Sequence, residues 1–370
     1  MSARSDLEKA RRIVVKIGSR TLTSDLDLPS KLATQIAELR GAGSSKDGAQ
    51  PKRGFVIVTS GAIALGGARL GYRQKPKEVA LQQAAAAAGQ SVLMRRYDEA
   101  FGALGITPAQ VLLTHADLAD RDRLNNARNA LGALLDAGAI PIINENDTVA
   151  TEEIRFGDND QLAAMVVPLV SADLLVLLTD VDGVLDARGK RIALMAESTE
   201  IGTVTEARER VGSGGMSSKI DAARKASRSG AAVVIAPASN PRVLCELLSG
   251  NDVGTLFPCL GPPLKARKHW IAFTLRPRGV LILDSGAVRA VRAGKSSLLS
   301  VGVVGVRGDF DVGDAVRLIS TSEEEVARGL TRLSTAQVAR SAGKKATKAT
   351  LATEDSDVIV VHKDDLVLTS

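Results

Sequence analysis

The sequence predicts an α/β protein: a three-layer α/β/α sandwich with a mainly parallel central sheet, followed by a small β-rich barrel. As far as about residue 260, short apolar runs alternate with helical patterns, which favours a sheet covered by helices on both faces. The run Asp173–Asp180 is apolar almost throughout, as expected of a central parallel strand. Beyond residue 261 short β-type runs separated by turns indicate a second, smaller domain.

The predicted strands of the first domain are apolar runs too short for helices and bounded by turn residues. In chain order these strands are Arg12 to about Gly18, Gly54–Thr59, Ala109–Leu113, Ile140–Ile143, Asp173–Asp180 and Ala231–Ile235. Helical spacing of apolar residues, or a run of alanines, predicts the helices between them. These are Pro29–Arg40, Glu78–Phe101, Arg123–Ala137 with Gly138 as its C-cap, Gln161–Val170 interrupted by Pro168, Gly215–Gly230 and Pro241–Leu248.

The segment Gly261–His269 is stiff, basic and turn-prone, so we expect the domain boundary there. The predicted division is a first domain over 1–260, a linker over 261–275 and a β-rich domain over 276–370. Its predicted strands are Val280–Leu283, Ala290–Val291, Val301–Val306, Val316–Leu318 and Val358–Val361. Two polar segments, Gly41–Arg53 and Ser341–Thr350, are expected to be a surface loop and a flexible excursion.

Composition limits the class of protein. With 370 residues the chain has room for two or three domains, and with 2% aromatic residues Ala, Val, Leu and Ile must fill its core. Two cysteines give no disulfide framework and no Cys-based metal site. The charged segment Met1–Arg12 lacks the apolar core of a signal peptide, and no run nears the roughly 18 apolar residues of a spanning helix. We therefore expect a soluble, cytoplasmic protein.

Two clusters of amides and carboxylates stand beside buried elements. Asn144–Asp147 follows the strand Ile140–Ile143 at once, and Phe156–Asp160 opens the next helix. Ligands of open α/β sheets bind where strands end and helices begin, because side chains converge there. Asn and Asp also cap helices and shape turns, which is their commonest role. Two such clusters a dozen residues apart favour a site for a polar substrate that bears an amine and carboxylates.

Three further features are typical of phosphate sites. Lys16 ends the first strand two residues before Gly18, although strand-end lysines are usually only solvated. The segment Ser213–Lys219 opens a helix with glycines, serines and a lysine, which suits an anion but differs from the P-loop pattern. A flexible turn is the alternative interpretation of that segment. Thr179 and Asp180 end the central strand, where a nucleotide could bind or where the chain simply turns.

No conventional nucleophile is evident. Ser60 lacks the Gly-x-Ser-x-Gly frame, and none of the three histidines lies in a cluster of carboxylates, which excludes a hydrolase triad. Phosphoryl transfer needs no such group, because it depends on alignment and on neutralised charge. A carboxylate acceptor is already ionised at neutral pH, so no general base is required.

Six segments of this sequence together resemble the amino-acid kinase family, and within it the glutamate 5-kinases. They are Val15–Ser19, Ser60–Ala62, Ile142–Asp147, Phe156–Asp160, Leu178–Asp180 and Gly214–Lys219. The resemblance runs from about Ile13 to about Phe257, and the two asparagine-rich segments are specific to this branch of the family. The C-terminal part resembles a PUA domain, most clearly over Gly279–Ala287. Segments 41–53 and 344–350 depart from the family pattern by being longer than usual.

The resemblance implies ATP-dependent phosphorylation of the γ-carboxylate of L-glutamate, the first step of proline biosynthesis. It implies that Lys16 and Lys219 neutralise the transferring phosphoryl group and that Asp160 holds both lysines in place. The implied glutamate-binding residues are Ser60, Gly61, Ala62, Asn144, Asp147 and Asn159. The implied ATP-binding residues are Lys16, Gly18, Thr179, Asp180, Ser213, Gly214, Gly215, Met216, Ser217, Ser218 and Lys219. Magnesium would be held by the ATP phosphates with no direct protein ligand, proline would act as feedback inhibitor, and the chain would form a homo-oligomer.

Two alternatives stay open. Another acceptor, such as aspartate, acetylglutamate or carbamate, would keep the fold, but those relatives are not expected to carry the paired asparagine-rich segments. RNA binding by the C-terminal module is an alternative of another class. Residues 261–370 hold 17 Lys and Arg against 12 Asp and Glu, whereas the first 260 residues hold 31 against 30. Aromatic stacking platforms are nearly absent there, beyond Trp270 and Phe273, which disfavours RNA.

Overall fold

The structure is a computed structural model that describes residues 4–41, 53–150, 159–195, 215–260, 268, 270–294, 296–342 and 359–369. Several predicted features lie outside these residues: the loop interior 42–52, the segment 156–158, Ser213 and Gly214, the linker residues 261–267 and 269, and the excursion 343–350. The chain divides into two compact units, residues 1–263 and 264–370. Each unit has its own sheet and its own core.

The described residues of the first unit form a seven-stranded, mainly parallel sheet, which confirms the predicted fold class. Its strands are β1 Arg12–Ile17, β2 Gly54–Val58, β3 Pro108–Leu113, β4 Ile140–Glu145, β5 Leu174–Thr179, β6 Ala232–Pro237 and β7 Thr255–Phe257. Their spatial order is β3-β4-β2-β1-β5-β6-β7, and only β7 runs antiparallel to its neighbour. The strand order reverses between β1 and β5, and such switch points are where open α/β sheets bind ligands.

Helices follow most strands and cover the sheet. They are α1 Ser19–Ser24, α2 Leu28–Gly41, α3 Ala62–Arg69, α4 Val79–Gly102, α5 His115–Ala119, α6 Arg121–Asp136, α7 Asn159–Leu169, α8 Met216–Arg228 and α9 Val243–Leu247. Pro168 does not interrupt α7 as predicted: the helix includes it and ends one residue later, so the bond that proline cannot donate to the carbonyl four residues back is lost only in the last turn. None of the helices in the described ranges is both long and apolar enough to cross a bilayer.

The core of the first unit is aliphatic, as the composition predicts. Ile13, Val15 and Ile17 on β1 are at most 1% exposed and pack into one cluster with residues of α2, α4 and α9. Among the aromatic side chains of the unit, those of Phe55, Tyr97 and Phe101 are fully buried, and Tyr97 stacks on Phe101 with ring centroids 6.5 Å apart. Because side chains alternate along a strand, the same pattern turns Lys16 towards the opposite face.

The described part of the second unit is a mixed, six-stranded sheet. Its strands are β8 Gly279–Leu283, β9 Leu298–Leu299, β10 Val303–Gly308, β11 Ala315–Ser320, β12 Glu325–Thr331 and β13 Ile359–Leu368, in the order β10-β8-β11-β12-β13-β9. Two helices join them, α10 Ser285–Arg292 and α11 Thr335–Ser341. A single π-helical turn, Trp270–Thr274, precedes the sheet. The β-rich prediction is therefore confirmed, with corrections to its elements.

Several elements of the second unit differ from the prediction. The predicted strand Ala290–Val291 lies inside α10, because the Asp284 carboxylate accepts the Ala287 N–H at 2.7 Å and caps a helix there. The last strand extends to Leu368 through the polar residues 362–365, which a search for apolar runs does not include. Strand β12 and helix α11 were not predicted; α11 begins with a capping box formed by Ser334 and Gln337.

Helices α3 and α4 touch through glycine. A Cβ added to Gly66 would overlap the carbonyl oxygen of Ala85, and one added to Gly89 would overlap the carbonyl oxygen of Ala62. The two backbones approach so closely that no side chain fits between them, which only glycine allows. This contact fixes the start of α3 against the middle of α4.

Gly89→Ala is expected to lower the free energy of unfolding of the first unit by about 1–3 kcal/mol or more, because the added methyl group must push the helices apart. Urea titration of the wild type and the variant measures the difference. Gly132→Ala is the matched control: its Cβ has no described neighbour within 4 Å, so alanine in the middle of α6 should stabilise by about 0.5–1 kcal/mol. Wild-type stability of Gly89→Ala would contradict the close contact.

Candidate active site

The carboxyl ends of four adjacent strands gather most of the predicted site residues. In the sheet β4, β2, β1 and β5 are consecutive neighbours, and all four are parallel. Polar residues stand at or directly after the end of each strand: Asn144 and Asp147 for β4, Ser60 to Ala62 for β2, Lys16 and Gly18 for β1, and Thr179 and Asp180 for β5. Helices α7 and α8 contribute their first turns, with Asn159, Asp160 and Lys219.

The structure brings Lys16 and Lys219 together on one carboxylate. The Lys16 ammonium lies 2.6 Å from Oδ1 of Asp160, and the Lys219 ammonium lies 3.0 Å from Oδ2. Asp160 is fully buried, and the two lysines are 3% and 9% exposed. The three residues belong to β1, α7 and α8, and any two of them are more than 50 residues apart along the chain.

The charges of this trio suit an anion. A buried charge must be paired, and breaking one such pair is strongly destabilising. Here two ammonium groups share one carboxylate, so the trio carries a net charge of +1. Asp160 also lies in the first turn of α7, where the positive end of the helix dipole favours a carboxylate. An anionic ligand such as a phosphate would complete the balance.

A second cluster, the amide cluster, joins Asn144, Asn159 and the backbone of Thr59. The Asn159 side-chain nitrogen donates to the Asn144 side-chain oxygen at 2.8 Å and also to the carbonyl oxygen of Thr59. The Asn144 nitrogen donates to Oε1 of Gln90 at 2.9 Å. Asn159 and Asp160 are consecutive, so the first turn of α7 connects the amide cluster to the lysine pair.

The Tyr97 hydroxyl supports the amide cluster through the side chain of Thr59. It donates to the Thr59 hydroxyl at 2.9 Å, and both residues are fully buried. Burial raises the pKa of the Tyr97 phenol well above its ordinary value, so the phenol stays protonated as the donor.

The N-terminus of α3 presents backbone N–H groups beside β2. Gly61 is the N-cap residue, with φ of 103° and no side-chain acceptor, a conformation that glycine adopts without strain. Ser60 is half-buried and Ala62 is buried in the first turn. Asp147 lies half-buried in the turn that follows β4. A helix N-terminus next to a carboxylate suits a ligand with a carboxylate and an ammonium group.

The end of β5 lies next to the end of β1 in the sheet, and the start of α8 carries Lys219. Burial alone would raise the pKa of Asp180, but hydrogen bonds from its own backbone, from Arg20 and from Thr179 lower it below the ordinary value. The Arg20 guanidinium lies 3.3 Å from Asp180, so it bridges the helix after β1 to the end of β5. Gly215 is the N-cap of α8 without a side-chain acceptor, and Met216, Ser217 and Ser218 form the first turn with Lys219. Ser213 and Gly214 lie outside the described residues.

Sequence reasoning missed three residues at the predicted site: Gln90, Tyr97 and Arg20. Gln90 and Tyr97 lie on α4 at a spacing of seven, and Gln83, one further heptad back, donates to the carbonyl oxygen of Ala150 at 3.3 Å. Positions seven apart share a helix face, so three polar side chains on one face of an alanine-rich helix were the available signal. Arg20 had no such signal, because an arginine beside a strand end is usually solvated.

Comparisons with known proteins agree with this architecture. Residues 11–237 match the profile of the Amino acid kinase family, and residues 279–350 match that of the PUA domain. The chain is 46% identical to the glutamate 5-kinase of Gloeobacter violaceus, over 97% of this chain and 99% of that protein. It is 45% identical to the glutamate 5-kinase of Thermus thermophilus, over 97% of each chain, and 43% identical to that of Pelobacter propionicus, over 97% and 98%.

These similarities extend over nearly the whole chain and confirm the resemblance found in the six sequence segments. The family match covers strands β1 to β6 and both clusters of the site. The chain belongs to the amino acid kinase family.

Proposed function

We propose that this chain phosphorylates the γ-carboxylate of L-glutamate with ATP to give L-glutamyl 5-phosphate, the first step of proline biosynthesis. The observation that carries the proposal is the pairing of Lys16 and Lys219 on Asp160, one residue from the amide cluster around Asn159. A cationic centre for a phosphoryl group thus adjoins a polar pocket for an amino acid. The relatives that match the whole chain carry the name glutamate 5-kinase.

The proposed chemistry needs charge neutralisation and alignment. An oxygen of the γ-carboxylate attacks the γ-phosphorus of ATP, the bond from that phosphorus to the bridging oxygen breaks, and ADP leaves. The acceptor is ionised at neutral pH, so no proton has to be removed. Negative charge spreads over the oxygens of the transferring group, where Lys16 and Lys219 stabilise it most strongly. Asp160 orients both ammonium groups.

The remaining polar residues divide between the two substrates. Asn144, Asn159 and the N-terminus of α3 at Ser60, Gly61 and Ala62 would bind the glutamate oxygens, and Asp147 would pair with its ammonium group. Thr179, Asp180, Gly18 and the Ser213–Lys219 segment would line the ATP site. The positions of these residues at neighbouring strand ends support the division.

Magnesium fits this site as a companion of ATP. Mg²⁺ binds phosphate oxygens together with one or two carboxylates and keeps several waters. Each Asp160 oxygen already has an ammonium group beside it, so this carboxylate is a poor ligand for the ion. When bound to the ATP phosphates, Mg²⁺ would neutralise part of their charge. Lys16 and Lys219 would act on the transferring group itself.

The proposal extends to regulation and setting. Proline resembles glutamate in its ammonium and α-carboxylate groups, so it would bind at or near the glutamate pocket as a feedback inhibitor. We propose a cytoplasmic homo-oligomer, in keeping with a biosynthetic kinase. For the second unit we propose no RNA partner, because its sequence offers few aromatic residues for stacking.

Glutamate is expected to be the accepted substrate among related carboxylates. Hydroxylamine traps the acyl phosphate, so hydroxamate formation with ATP and glutamate, aspartate or acetylglutamate compares the acceptors directly. We expect turnover with glutamate alone, because the amide cluster and Asp147 match a free ammonium group at that chain length. Comparable rates with acetylglutamate would overturn the assignment.

Lys219→Ala is expected to lower kcat by at least about 100-fold with a smaller change in the KM of ATP, because the lost charge acts on the transition state. Steady-state kinetics at saturating glutamate measure both constants. Lys225→Ala is the control on the same helix: its ammonium group bonds Gln161 rather than Asp160, and its kcat should stay near the wild-type value. A change in the KM of ATP alone would make Lys219 a binding residue.

Asp147→Ala is expected to raise the KM of glutamate at least about tenfold while the KM of ATP stays unchanged, because an ion pair with the substrate ammonium is lost. The same kinetic assay gives both values. Asp136→Ala removes an exposed carboxylate at the amino-terminal side of β4, and its constants should match the wild type. An unchanged KM of glutamate in Asp147→Ala would remove Asp147 from the pocket.

A further inference from the structure

Gln90 carries a hydrogen-bond donor without a partner. Its Nε2 atom is shielded from solvent and meets no acceptor among the residues that the structure describes. Its Oε1 atom accepts the hydrogen bond from Asn144 at 2.9 Å. A buried donor that is left unsatisfied destabilises the folded chain, so such groups are few and often functional.

The backbone determines which way the Gln90 amide faces. The Thr59 carbonyl oxygen can only accept, so the Asn159 nitrogen must face it. The same nitrogen donates to the Asn144 oxygen, which leaves the Asn144 nitrogen to donate to Gln90. Reversing any one amide would set two acceptors or two donors against each other. The direction of the whole chain of amides therefore leaves an N–H group at its far end.

Of the three hydrogen-bonded amides, Gln90 is the one furthest along from the lysine pair. Asn159 adjoins Asp160 in sequence, whereas Gln90 is two hydrogen bonds further along the amide cluster. In the proposed reaction the γ-carboxylate has to meet the phosphoryl group at the lysines. The opposite end of the substrate, with its α-carboxylate, would then lie towards Gln90.

We propose that Gln90 donates its Nε2–H to the α-carboxylate of glutamate and so determines specificity at that end of the substrate. This assignment rests on the proposed function. In this structure the donor is out of reach of a water molecule, so substrate entry has to move the groups that cover it. Gln90 also holds Asn144 in the orientation that the amide cluster requires, and the test has to separate the two roles.

Gln90→Glu separates them because the two side chains have the same shape. The carboxylate still accepts from Asn144, so the orientation of the amide cluster is kept. The terminal N–H is replaced by an anionic oxygen, which repels a carboxylate but accepts from an amide. The substrates for comparison are L-glutamate and its α-carboxamide, which differ only at the group that Gln90 would contact.

The experiment measures kcat and KM for both substrates and the KM of ATP, with hydroxylamine trapping, in the wild type, Gln90→Glu and Gln110→Glu. We expect Gln90→Glu to raise the KM of glutamate at least tenfold and to shift the ratio of kcat/KM towards the α-carboxamide at least tenfold. Its kcat and the KM of ATP should stay within about threefold of the wild type. Gln110→Glu adds the same charge at an exposed position of the edge strand β3 and should change none of these values.

Each outcome decides the proposal. Turnover of glutamate by the wild type with an unchanged KM and substrate ratio in Gln90→Glu would overturn the role of Gln90 and leave the proposed function intact. Absence of glutamate turnover in the wild type would overturn both. If Gln90→Glu fails to fold, Gln90→Met replaces it: a shift of the kcat/KM ratio towards the α-carboxamide supports the proposal, and a wild-type ratio contradicts it.

Discussion

The carboxylate of Asp160 is the interaction on which the rest of the site depends. It is fully buried, and each of its oxygens lies beside the ammonium group of a different lysine. Neither Lys16 nor Lys219 could remain buried without it, because an unpaired charge in the interior is very costly. With it, two cations are held at one point with a net positive charge. In the proposed function a polyphosphate would complete that balance, so binding and stabilisation of the transferring group would share one cause.

The first turn of α7 connects this charge to substrate recognition. Consecutive helical residues point about 100° apart, and here Asn159 turns to β2 and β4 while Asp160 turns to β1 and α8. One backbone turn thereby positions both the amide cluster and the lysine pair. A small rotation of α7 would disturb both at once, which is a reason to expect glutamate and ATP binding to be coupled.

Helix α4 contacts the site through polar side chains on one of its faces. Gln90 and Tyr97 contact the amide cluster and Thr59, and Gly89 on the same helix allows α3 to approach. The position of α3 in turn sets its N-terminus at Gly61 beside β2. In the sequence α4 is notable only for its alanines. In the structure its polar residues hold the amide cluster, and its glycine determines the position of α3.

The sequence by itself determined the fold class, the alternation of strands and helices in the first unit and the strand ends that carry the site. Those follow from local patterns: apolar runs at Arg12–Ile17 and Leu174–Thr179, helical spacing, and polar residues directly after buried strands. Local patterns failed where a short element depends on one cap, as at Asp284, or where a strand continues through polar residues, as it does towards Leu368. They marked Gln90 and Tyr97 only as polar residues on one face of α4, and they gave no signal for Arg20.

Only the tertiary structure decided which distant groups meet. That Lys16 and Lys219 share Asp160 was implied by family resemblance alone, since nothing in spacing relates residues more than 50 positions apart. The packing of α7 against β1 and against α8 sets those distances. Hydrogen bonds and ion pairs form only within a few ångströms, so the packing of whole elements, rather than any local pattern, determines them.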